Sequence, residues 1–360
     1  MTTEAAAPPP PLLPARSPAP ARRADPGRPS GSDFAALSRT VADAGLLRRR
    51  PLYYTVRFAL VGASAGACAA GVVALGDSWA QLLLAVPLAV VFGQIALLAH
   101  DLAHKQVFST RGPSEFWGLI VANLFLGMSY GWWMNKHNRH HANPNHEEKD
   151  PDVAPDILVW SKRQARVARG IPRFIGKHQS RLFFPLLTLE GWNLSVNSIR
   201  ALGRPTTKRP VLEGTLLAAH FAVYFGGIFA ALPAGKAIAL IVLHQALFGV
   251  YLGCVFAPNH KGMAMLTNED DLDFLRRQVL TSRNVKGGPF VDVLMGGLNY
   301  QIEHHLFPSM PTPALRKAQL LTERHCAGLG IPYHQTGLLA SHREALRHMR
   351  AVGEPLREDA

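Results

Sequence analysis

The stretch that determines the fold is residues 80–104, AQLLLAVPLAVVFGQIALLAHDLAH, where an uncharged apolar run leads directly into two histidines. Residues 80–99 contain no Lys or Arg, and about 20 apolar residues in a helix cross the hydrocarbon core of a bilayer. His100 and His104 follow with the i, i+4 spacing that places two side chains on one helix face. Because neutral imidazole is a common metal ligand, the stretch predicts a membrane-spanning helix with a pair of ligands at its end.

Three further segments, 58–75, 211–232 and 237–257, also lack Lys and Arg and have the length of a membrane span. The loop between the first two spans and the loop between the last two carry almost no basic residues. The positive-inside rule therefore places the other, basic parts of the chain in the cytoplasm. We therefore predict an all-α integral membrane protein with four transmembrane helices as two hairpins and a helical cytoplasmic cap. The predicted location is the plasma membrane, with both termini and the site cytoplasmic. Four buried helices of a large soluble core are the alternative, which the length of the uncharged runs disfavours.

The composition excludes several other classes of protein. Only 18% of the 360 residues are charged, against about 25% in an ordinary soluble domain. The three cysteines are far apart, which excludes a zinc ribbon or a thioredoxin-like pair. The formal net charge of +13 is explained by topology and by attraction to lipid headgroups, and we expect no nucleic-acid partner because no binding motif is present.

The chain divides into three predicted parts. Residues 1–50 are rich in Pro, Ala and Arg and predict a disordered tail, with a short helix plausible from Asp33. Residues 51–340 form the membrane domain, and residues 341–360 a C-terminal helical tail. Within the membrane domain, 116–129 and 182–199 are too short or too interrupted to span and predict interfacial or re-entrant helices.

Three histidine clusters lie on the same predicted side of the membrane: HDLAH at 100–104, HNRHH at 137–141 and QIEHH at 301–305. Their seven histidines are too many for one tetrahedral metal and suit two metals with open positions. His260, just past the last span, joins them as a candidate. The predicted ligands of this dimetal site are His100, His104, His137, His140, His141, His260, His304 and His305.

Other polar residues near the clusters are weaker candidates. Gln301 and Asn259 could contact and orient a ligand histidine without binding the metal themselves. Asp101, Glu303, Asp150 and Asp152 could each accept the second N–H of a bound histidine, although Asp150 to Asp152 is equally explained as a turn. His220 and His244 lie within spans. An ionisable side chain there is either a functional candidate or a partner in a hydrogen bond between helices.

The three boxes, their separations and the stretch NYQIEHHLFPSMP resemble the membrane fatty acid desaturase family over roughly residues 50–340. The resemblance implies a non-haem centre of two Fe2+ ions, held by the box histidines, that acts on fatty acyl chains with O2 as co-substrate. Gln301 stands where many members have His, and this variant is similar to the branch that includes front-end desaturases. Three roles stay open for Gln301: it could bind the metal directly, contact the metal through water, or contact one of the ligands. Family members also use a histidine just past the last span, which supports His260.

The implied activity is introduction of a cis double bond into a fatty acyl chain, attached to coenzyme A or to lipid. The acyl chain would lie in an apolar tunnel, for which Trp132, Trp133 and Phe116 are candidate lining residues. We find no GxGxxG fingerprint, no cysteine set for an iron–sulfur cluster and no HPGG-type haem signature of a fused cytochrome b5. We therefore expect no bound flavin or haem, and a separate electron donor such as a ferredoxin or a flavin reductase.

A basic stretch could attract that donor, coenzyme A phosphates or only anionic lipid; it comprises Lys162, Arg163, Arg166, Arg169, Arg173 and Lys177. Two alternative functions remain at this point. One is a fatty acid hydroxylase or ketolase of the same di-iron class. The other is a metal-binding membrane protein or transporter without redox activity, which is disfavoured because the clusters lie at one membrane face instead of the midplane.

Overall fold

A computed structural model describes residues 32–358 of the chain. The first 31 residues of the predicted tail, and the last two residues, lie outside the described residues. The described part is mostly helical, in agreement with the predicted class. The sixteen α-helices of residues 32–358 are α1 (Asp33–Asp43), α2 (Pro51–Leu75), α3 (Ala85–Ala103), α4 (Arg111–Leu119), α5 (Tyr130–Ala142), α6 (Lys162–Val167), α7 (Gly170–Leu187), α8 (Glu190–Leu202), α9 (Pro210–Ala231), α10 (Ala234–His260), α11 (Phe274–Leu280), α12 (Pro289–Leu294), α13 (Gln301–Leu306), α14 (Thr312–Gly328), α15 (Leu338–Val352) and α16 (Pro355–Glu358).

Four of the helical segments are long and apolar enough to cross a membrane: Pro51–Leu75, Trp79–Ala103, Pro210–Ala231 and Ala234–His260. Trp79–Leu84 is a 3₁₀ turn that leads into α3. Each segment matches one of the four predicted spans, and only the span 211–232 extends past its helix, by one residue, so the uncharged runs identified the helices correctly. The helices extend beyond the runs because proline at the first position starts α2 and α9, where its missing N–H costs no helical hydrogen bond.

The outer surfaces of these helices carry large exposed apolar side chains. Leu52, Val73, Leu83 and Val211 are each at least three-quarters exposed. Such side chains would be unfavourable in water over so wide a surface and are suited to contact with lipid. The helices are therefore apolar on the outside as well as between neighbours, as a membrane requires.

Helices α3 and α10 form the centre of the membrane-length group and are its most buried members. The turn between α7 and α8 packs directly against α10. A Cβ added at Gly249 of α10 would lie 2.2 Å from the Leu187 carbonyl, so only glycine permits this approach. The predicted stretch 182–199 is thus two helices that meet at Thr188 and Leu189. The stretch 116–129 consists of the end of α4, a π-helical segment at Ile120–Leu126 and a turn.

A second hydrophobic cluster joins α1 to α11, α13 and α14, and it corrects one predicted boundary. Leu37 and Val41 lie one helical turn apart on α1 and are fully buried against Leu275, Ile302 and neighbouring side chains. Residues 33–43 were assigned to the disordered tail of 1–50, yet they pack beside the third histidine box. A short helix from Asp33 was expected from the sequence, but its packing into the structure was not.

Two short strands, β1 (Asn284–Lys286) and β2 (Gln335–Gly337), form a parallel two-stranded sheet. Asn284 pairs with Gln335 and Lys286 with Gly337. Sequence patterns did not predict these strands, since three residues carry too little alternation to be recognised. The sheet connects the segment before α13 to the start of α15, and so connects the third histidine box to the C-terminal helices.

Candidate metal centre

The first box lies at the end of α3, where a membrane-length helix ends. His100 and His104 are one turn apart, and their ring centroids are separated by 4.6 Å. His100 is almost completely buried, and neither of its ring nitrogens has a hydrogen-bond partner. The i, i+4 spacing therefore places both imidazoles on one side of the helix, as predicted.

The second box lies on α5, whose first turn is held by a buried carboxylate. The Ser129 hydroxyl accepts a hydrogen bond from the backbone N–H of Trp132 at the start of the helix. That hydroxyl donates to Glu213 of α9 at 2.6 Å, and the N–H of Gly131 donates to the same carboxylate at 3.2 Å. A carboxylate at a helix N-terminus also interacts favourably with the helix dipole. Glu213 therefore fixes the helix that carries His137, His140 and His141.

We expect Glu213→Ala to destabilise the protein by about 1–3 kcal/mol, because the buried Ser129 hydroxyl and the half-buried Gly131 N–H lose their acceptor. The melting temperature in detergent measures the loss, and iron content after purification reports whether α5 is displaced. Glu115→Ala is the matched control, since Glu115 makes an exposed ion pair with Arg111. An equal shift in both variants would contradict the role given to Glu213.

The third box lies on the short helix α13, all of whose residues are buried. His304 and His305 are neighbours in sequence and point in different directions, with ring planes 84° apart. His304 faces the end of α3, with its ring centroid 4.6 Å from that of His100. His305 faces α10, with its ring centroid 4.7 Å from that of His260.

The eight predicted histidines come together as two groups. The larger group draws on α5, α13 and the end of α3, and its ligand atoms all lie within 4.8 Å of one another; its members are His100, His104, His137, His141 and His304. Three Nε2-to-Nε2 distances run through it, 2.8 Å from His104 to His137, 3.1 Å from His137 to His141 and 3.2 Å from His141 to His304. This group has ligand atoms from all three boxes.

The smaller group contains His140, His260 and His305, again with ligand atoms within 4.8 Å. The Nε2 atoms of His140 and His260 are 3.3 Å apart. Thus His140, which shares α5 with His137 and His141, faces the other group. The structure brings His260 from the end of α10 into this group, as its position after the last span suggested.

Each histidine of the smaller group has an acceptor beside its Nδ1 atom at 2.9 Å. The acceptors are Asp150 Oδ2 for His140, the Thr281 carbonyl for His260 and Gln278 Oε1 for His305. A proton on Nδ1 donates to these acceptors and leaves the Nε2 lone pair free. The arrangement fixes the ring tautomer that suits metal binding.

Burial keeps most imidazoles of the two histidine groups neutral. Burial, reinforced by the neighbouring histidines, lowers the pKa well below its usual range for His104, His137, His141, His304 and His305. Burial also opposes the charged form of His140, but Asp150 and Asp152 outweigh it and raise the pKa of that histidine. Neutral imidazole is the form that binds a metal ion.

The donor set fits bound metal. Both ring nitrogens of His100, Nδ1 of His141 and His304, and Nε2 of His305 are buried without a hydrogen-bond partner. Each such atom costs about 1–3 kcal/mol if it stays unsatisfied. Neutral nitrogens facing one another at about 3 Å cannot all be satisfied by sharing protons, whereas metal ions would use the same lone pairs. Nitrogen-only ligands of this kind suit iron, zinc or copper.

Gln301 and Asn259 lie beside the smaller group. Gln301 Nε2 is 3.0 Å from His260 Nε2, and Gln301 Oε1 accepts from Asn259 Nδ2 at 3.1 Å. Asn259 is itself held by donation to the Val255 carbonyl at 3.0 Å. Asn259 thus orients the Gln301 amide with its nitrogen toward the histidine.

The acidic candidates divide into two kinds. Asp150 and Asp152 lie beside His140, and Asp152 also pairs with Lys136 at 2.9 Å. Asp101 is 3.6 Å from His100 Nδ1 and pairs with Arg57. Glu303 contacts no histidine ring. Its carboxylate accepts from Asn284 and Tyr333, and burial raises its pKa to about 7.

Some candidates lie away from the two groups. His220 Nδ1 donates to the Leu124 carbonyl, and His244 Nδ1 lies 2.5 Å from the Tyr224 hydroxyl, so both make helix-to-helix contacts. Trp133 stacks on the His137 ring at 4.3 Å, whereas Phe116 is more than half exposed.

Gln278 and Arg57 contact the site but were not found from the sequence. Gln278 stands in LRRQVL, and Arg57 stands at the edge of an apolar run. Neither position carries a pattern that marks it, because each meets its partner only through the tertiary fold.

The fold and the site together define a class of protein. In this class the ends of two membrane-length helices meet two shorter helices, and together they bring eight histidines into two sets able to bind metal. Residues 77–337 match the sequence model of the family described as fatty acid desaturase, and the chain belongs to this family. The predicted resemblance is therefore confirmed.

Curated relatives carry desaturase names. An acyl-lipid (9-3)-desaturase of Physcomitrium patens is 30% identical over 340 residues, which cover 91% of this chain and 63% of that protein. A Delta(8)-fatty-acid desaturase of Helianthus annuus is 26% identical over 346 residues, covering 91% and 74%. A Delta(6)-fatty-acid desaturase of Caenorhabditis elegans is 26% identical over 342 residues, covering 91% and 76%. The chain thus spans less than two-thirds of the length of the first of these relatives and about three-quarters of the length of the other two.

Proposed function

We propose that the chain is a fatty acyl desaturase that uses O2 to introduce a cis double bond into an acyl chain carried by lipid or by coenzyme A. The observation that carries the proposal is the convergence of eight histidines as a group of five and a group of three. Membership of the fatty acid desaturase family and the names of the relatives support the same activity.

In this proposal each histidine group holds one Fe2+ ion. A di-iron centre with O2 supplies an oxidant for two adjacent C–H bonds that no amino-acid side chain could attack. The reaction balances when the acyl chain gives up two hydrogen atoms, an outside donor gives two electrons and the solvent gives two protons. The products are one carbon–carbon double bond and two water molecules.

The chain's own residues prepare the site for this chemistry. Asp150, Gln278 and the Thr281 carbonyl orient three imidazoles through their Nδ1 atoms. Burial of the third box excludes water from the reacting position. We assign Gln301 and Asn259 a positioning role, since the amide nitrogen of Gln301 faces His260.

We further propose that the four membrane-length helices form two hairpins and that the remaining helices form a cytoplasmic cap of the plasma membrane. Supporting this, the first box lies at the end of α3 and His260 ends α10, so both helices present proposed ligands at their C-terminal ends. The basic flanks favour the cytoplasm for that end and for both termini. The membrane desaturase domain is proposed to occupy residues 51–340, followed by a helical tail over 341–360.

The electrons are proposed to come from a separate protein, a ferredoxin or a flavin reductase. Two electrons are required for each double bond. The sequence has no motif for a flavin, an iron–sulfur cluster or a fused cytochrome b5 that would carry them. Exposed basic side chains on α6 and α7 are the proposed attraction for an acidic donor.

The test is to express the chain with a ferredoxin and its reductase, beside a His140→Ala variant, and to analyse host fatty acids by gas chromatography–mass spectrometry. Derivatives that locate double bonds give the position of any new one. We expect a new unsaturated acid that the variant does not produce, because His140 belongs to the group of three.

A hydroxylated product would instead assign the chain to the hydroxylases of the same di-iron class. Wild-type protein that is present in the membrane but retains no iron would overturn the di-iron proposal. Iron content is measured on the same preparations, so a failure of expression is distinguished from a failure of metal binding.

A further inference from the structure

A basic cleft lies between α7, α15 and α16, outside the two histidine groups. Its volume is about 280 Å³, and it is lined by Lys177, His178, Ser180, Arg181, Arg350 and Arg357. This volume is just below the roughly 300–1,000 Å³ of small-molecule pockets. The cleft therefore has room for a compact group such as a phosphate ester.

Close backbone approach builds the cleft. A Cβ added at Gly353, after α15, would lie 2.4 Å from the Gly176 carbonyl of α7. This approach brings α16 against α7, where the Arg357 guanidinium donates to the carbonyls of Lys177 at 3.2 Å and Arg350 at 2.5 Å. Arg357 is thus held in place before any ligand binds, and its remaining N–H groups are left for an acceptor.

The positive charge of the cleft is not balanced within residues 32–358. Lys177, Arg181 and Arg350 have no carboxylate partner among these residues. The nearby Glu354 pairs with Lys162 at 2.7 Å and interacts more weakly with Arg357, so its single negative charge is shared between two cations; the exposed Glu358 follows Arg357 in sequence. Several cations around one small volume repel one another, and an anion would relieve the repulsion. Guanidinium, ammonium and hydroxyl donors together suit the oxygens of a phosphate.

The position of the cleft along α7 indicates its depth relative to the membrane-length helices. Leu187, at the end of α7, packs on Gly249 of α10. The cleft residues of α7 precede Leu187 by six to ten residues, or about 9–15 Å of helix. His260 follows Gly249 by 11 residues, or about 16 Å along α10. A contact on α15 places the cleft at the same level: a Cβ added at Gly262, two residues after His260, would lie 3.5 Å from the Cβ of His348, which is two residues before Arg350. The cleft therefore lies near the histidine-bearing end of α10.

Exposed apolar side chains precede the cleft on the same polypeptide segment. Val167, Ile171 and Phe174 are each about two-thirds exposed. Apolar side chains beside basic ones are typical of a segment that lies in the interface between headgroups and acyl chains. Phosphates of membrane lipids lie at that depth.

We infer that this cleft binds the phosphate of a phosphate ester, and that its source is the headgroup of an anionic phospholipid. The inference does not depend on the proposed desaturase activity, because binding is measured directly. The ligand contacts are made by α7, α15 and α16, none of which carries a predicted iron ligand.

The experiment uses native mass spectrometry of the full chain in detergent, titrated with dioleoyl phosphatidylglycerol. The test variant is Arg181→Gln/Arg350→Gln. The matched control is Arg324→Gln/Arg343→Gln, which removes the same charge from exposed residues of α14 and α15 outside the cleft. Since each basic residue near an anionic lipid contributes about 1 kcal/mol, we expect the test variant to bind at least about tenfold more weakly and the control to change less than about twofold. Melting temperature and iron content verify that both variants are folded.

Competition with glycerol 3-phosphate then identifies the source of the phosphate. Lipid that stays bound in millimolar competitor supports the headgroup as the ligand. Lipid that is displaced supports the phosphate cleft but overturns the lipid source, because a soluble phosphate ester then occupies it. Equal weakening in the test and control variants, or no weakening in either, would overturn the site itself.

Discussion

His305→Ala is expected to lower bound iron from about two ions per chain to about one and to reduce desaturation below about 1% of wild type. His305 belongs to the group of three histidines, where one loss leaves only His140 and His260. Removing one ligand from three leaves too few protein donors to hold an ion through purification. Iron is measured by inductively coupled plasma mass spectrometry, and activity from the fatty acid profile of the host.

His104→Ala provides the comparison within the same site. His104 belongs to the group of five, so four histidines remain after its loss. We expect a weaker iron affinity, by about 10- to 100-fold, with part of the iron retained at high iron concentration. His342→Ala is the control outside the site, since His342 donates to the Leu338 carbonyl of its own helix. Full iron retention by His305→Ala, with loss in His104→Ala, would contradict the division into five and three.

Arg57→Met is expected to destabilise the protein by about 3–5 kcal/mol, enough to deplete folded protein from the membrane. Arg57 of α2 pairs with Asp101 at 2.7 Å, and both side chains are buried. Without Arg57, the charge of Asp101 is left buried without its cation, directly after the proposed ligand His100. Fluorescence-detected size-exclusion chromatography measures the folded fraction, and thermal melting measures the stability of what remains.

Two companion variants separate the buried charge from general effects of losing an arginine. Arg57→Met/Asp101→Asn removes both charges and is expected to recover most of the folded protein, because a neutral pair carries no uncompensated charge. Arg111→Met breaks an equally short but exposed ion pair with Glu115 and is expected to cost less than about 1 kcal/mol. Similar losses for Arg57→Met and Arg111→Met would show that burial of the pair does not matter.

The membrane-length helices and the three boxes could be predicted because both are local patterns. An uncharged run of span length and an i, i+4 pair of histidines are complete within one segment of sequence. The same reasoning found His260 from its position after the last span. These features need no knowledge of how distant segments meet.

The division of the ligands and their supporting contacts could not be predicted in this way. Spacing allowed His137, His140 and His141 to face one site, and only the packing of α5 against α10 and α13 turns His140 toward the other group. Gln278 lies 27 residues before His305 in an ordinary helical sequence. Helix α1 was missed as part of the packed structure, since its two buried residues follow a long tail-like segment.

The ligands that come together in the fold are spread over 205 residues, from His100 at the end of α3 to His305 on α13. Chains are synthesised at about 5–20 residues per second, so His305 leaves the ribosome about 10–40 s after His100. During most of that interval the first box is already at the membrane, while α13 has not yet been made. Assembly of the group of three therefore begins only when His305 has emerged, and we expect any metal to be acquired after the membrane-length helices have been inserted.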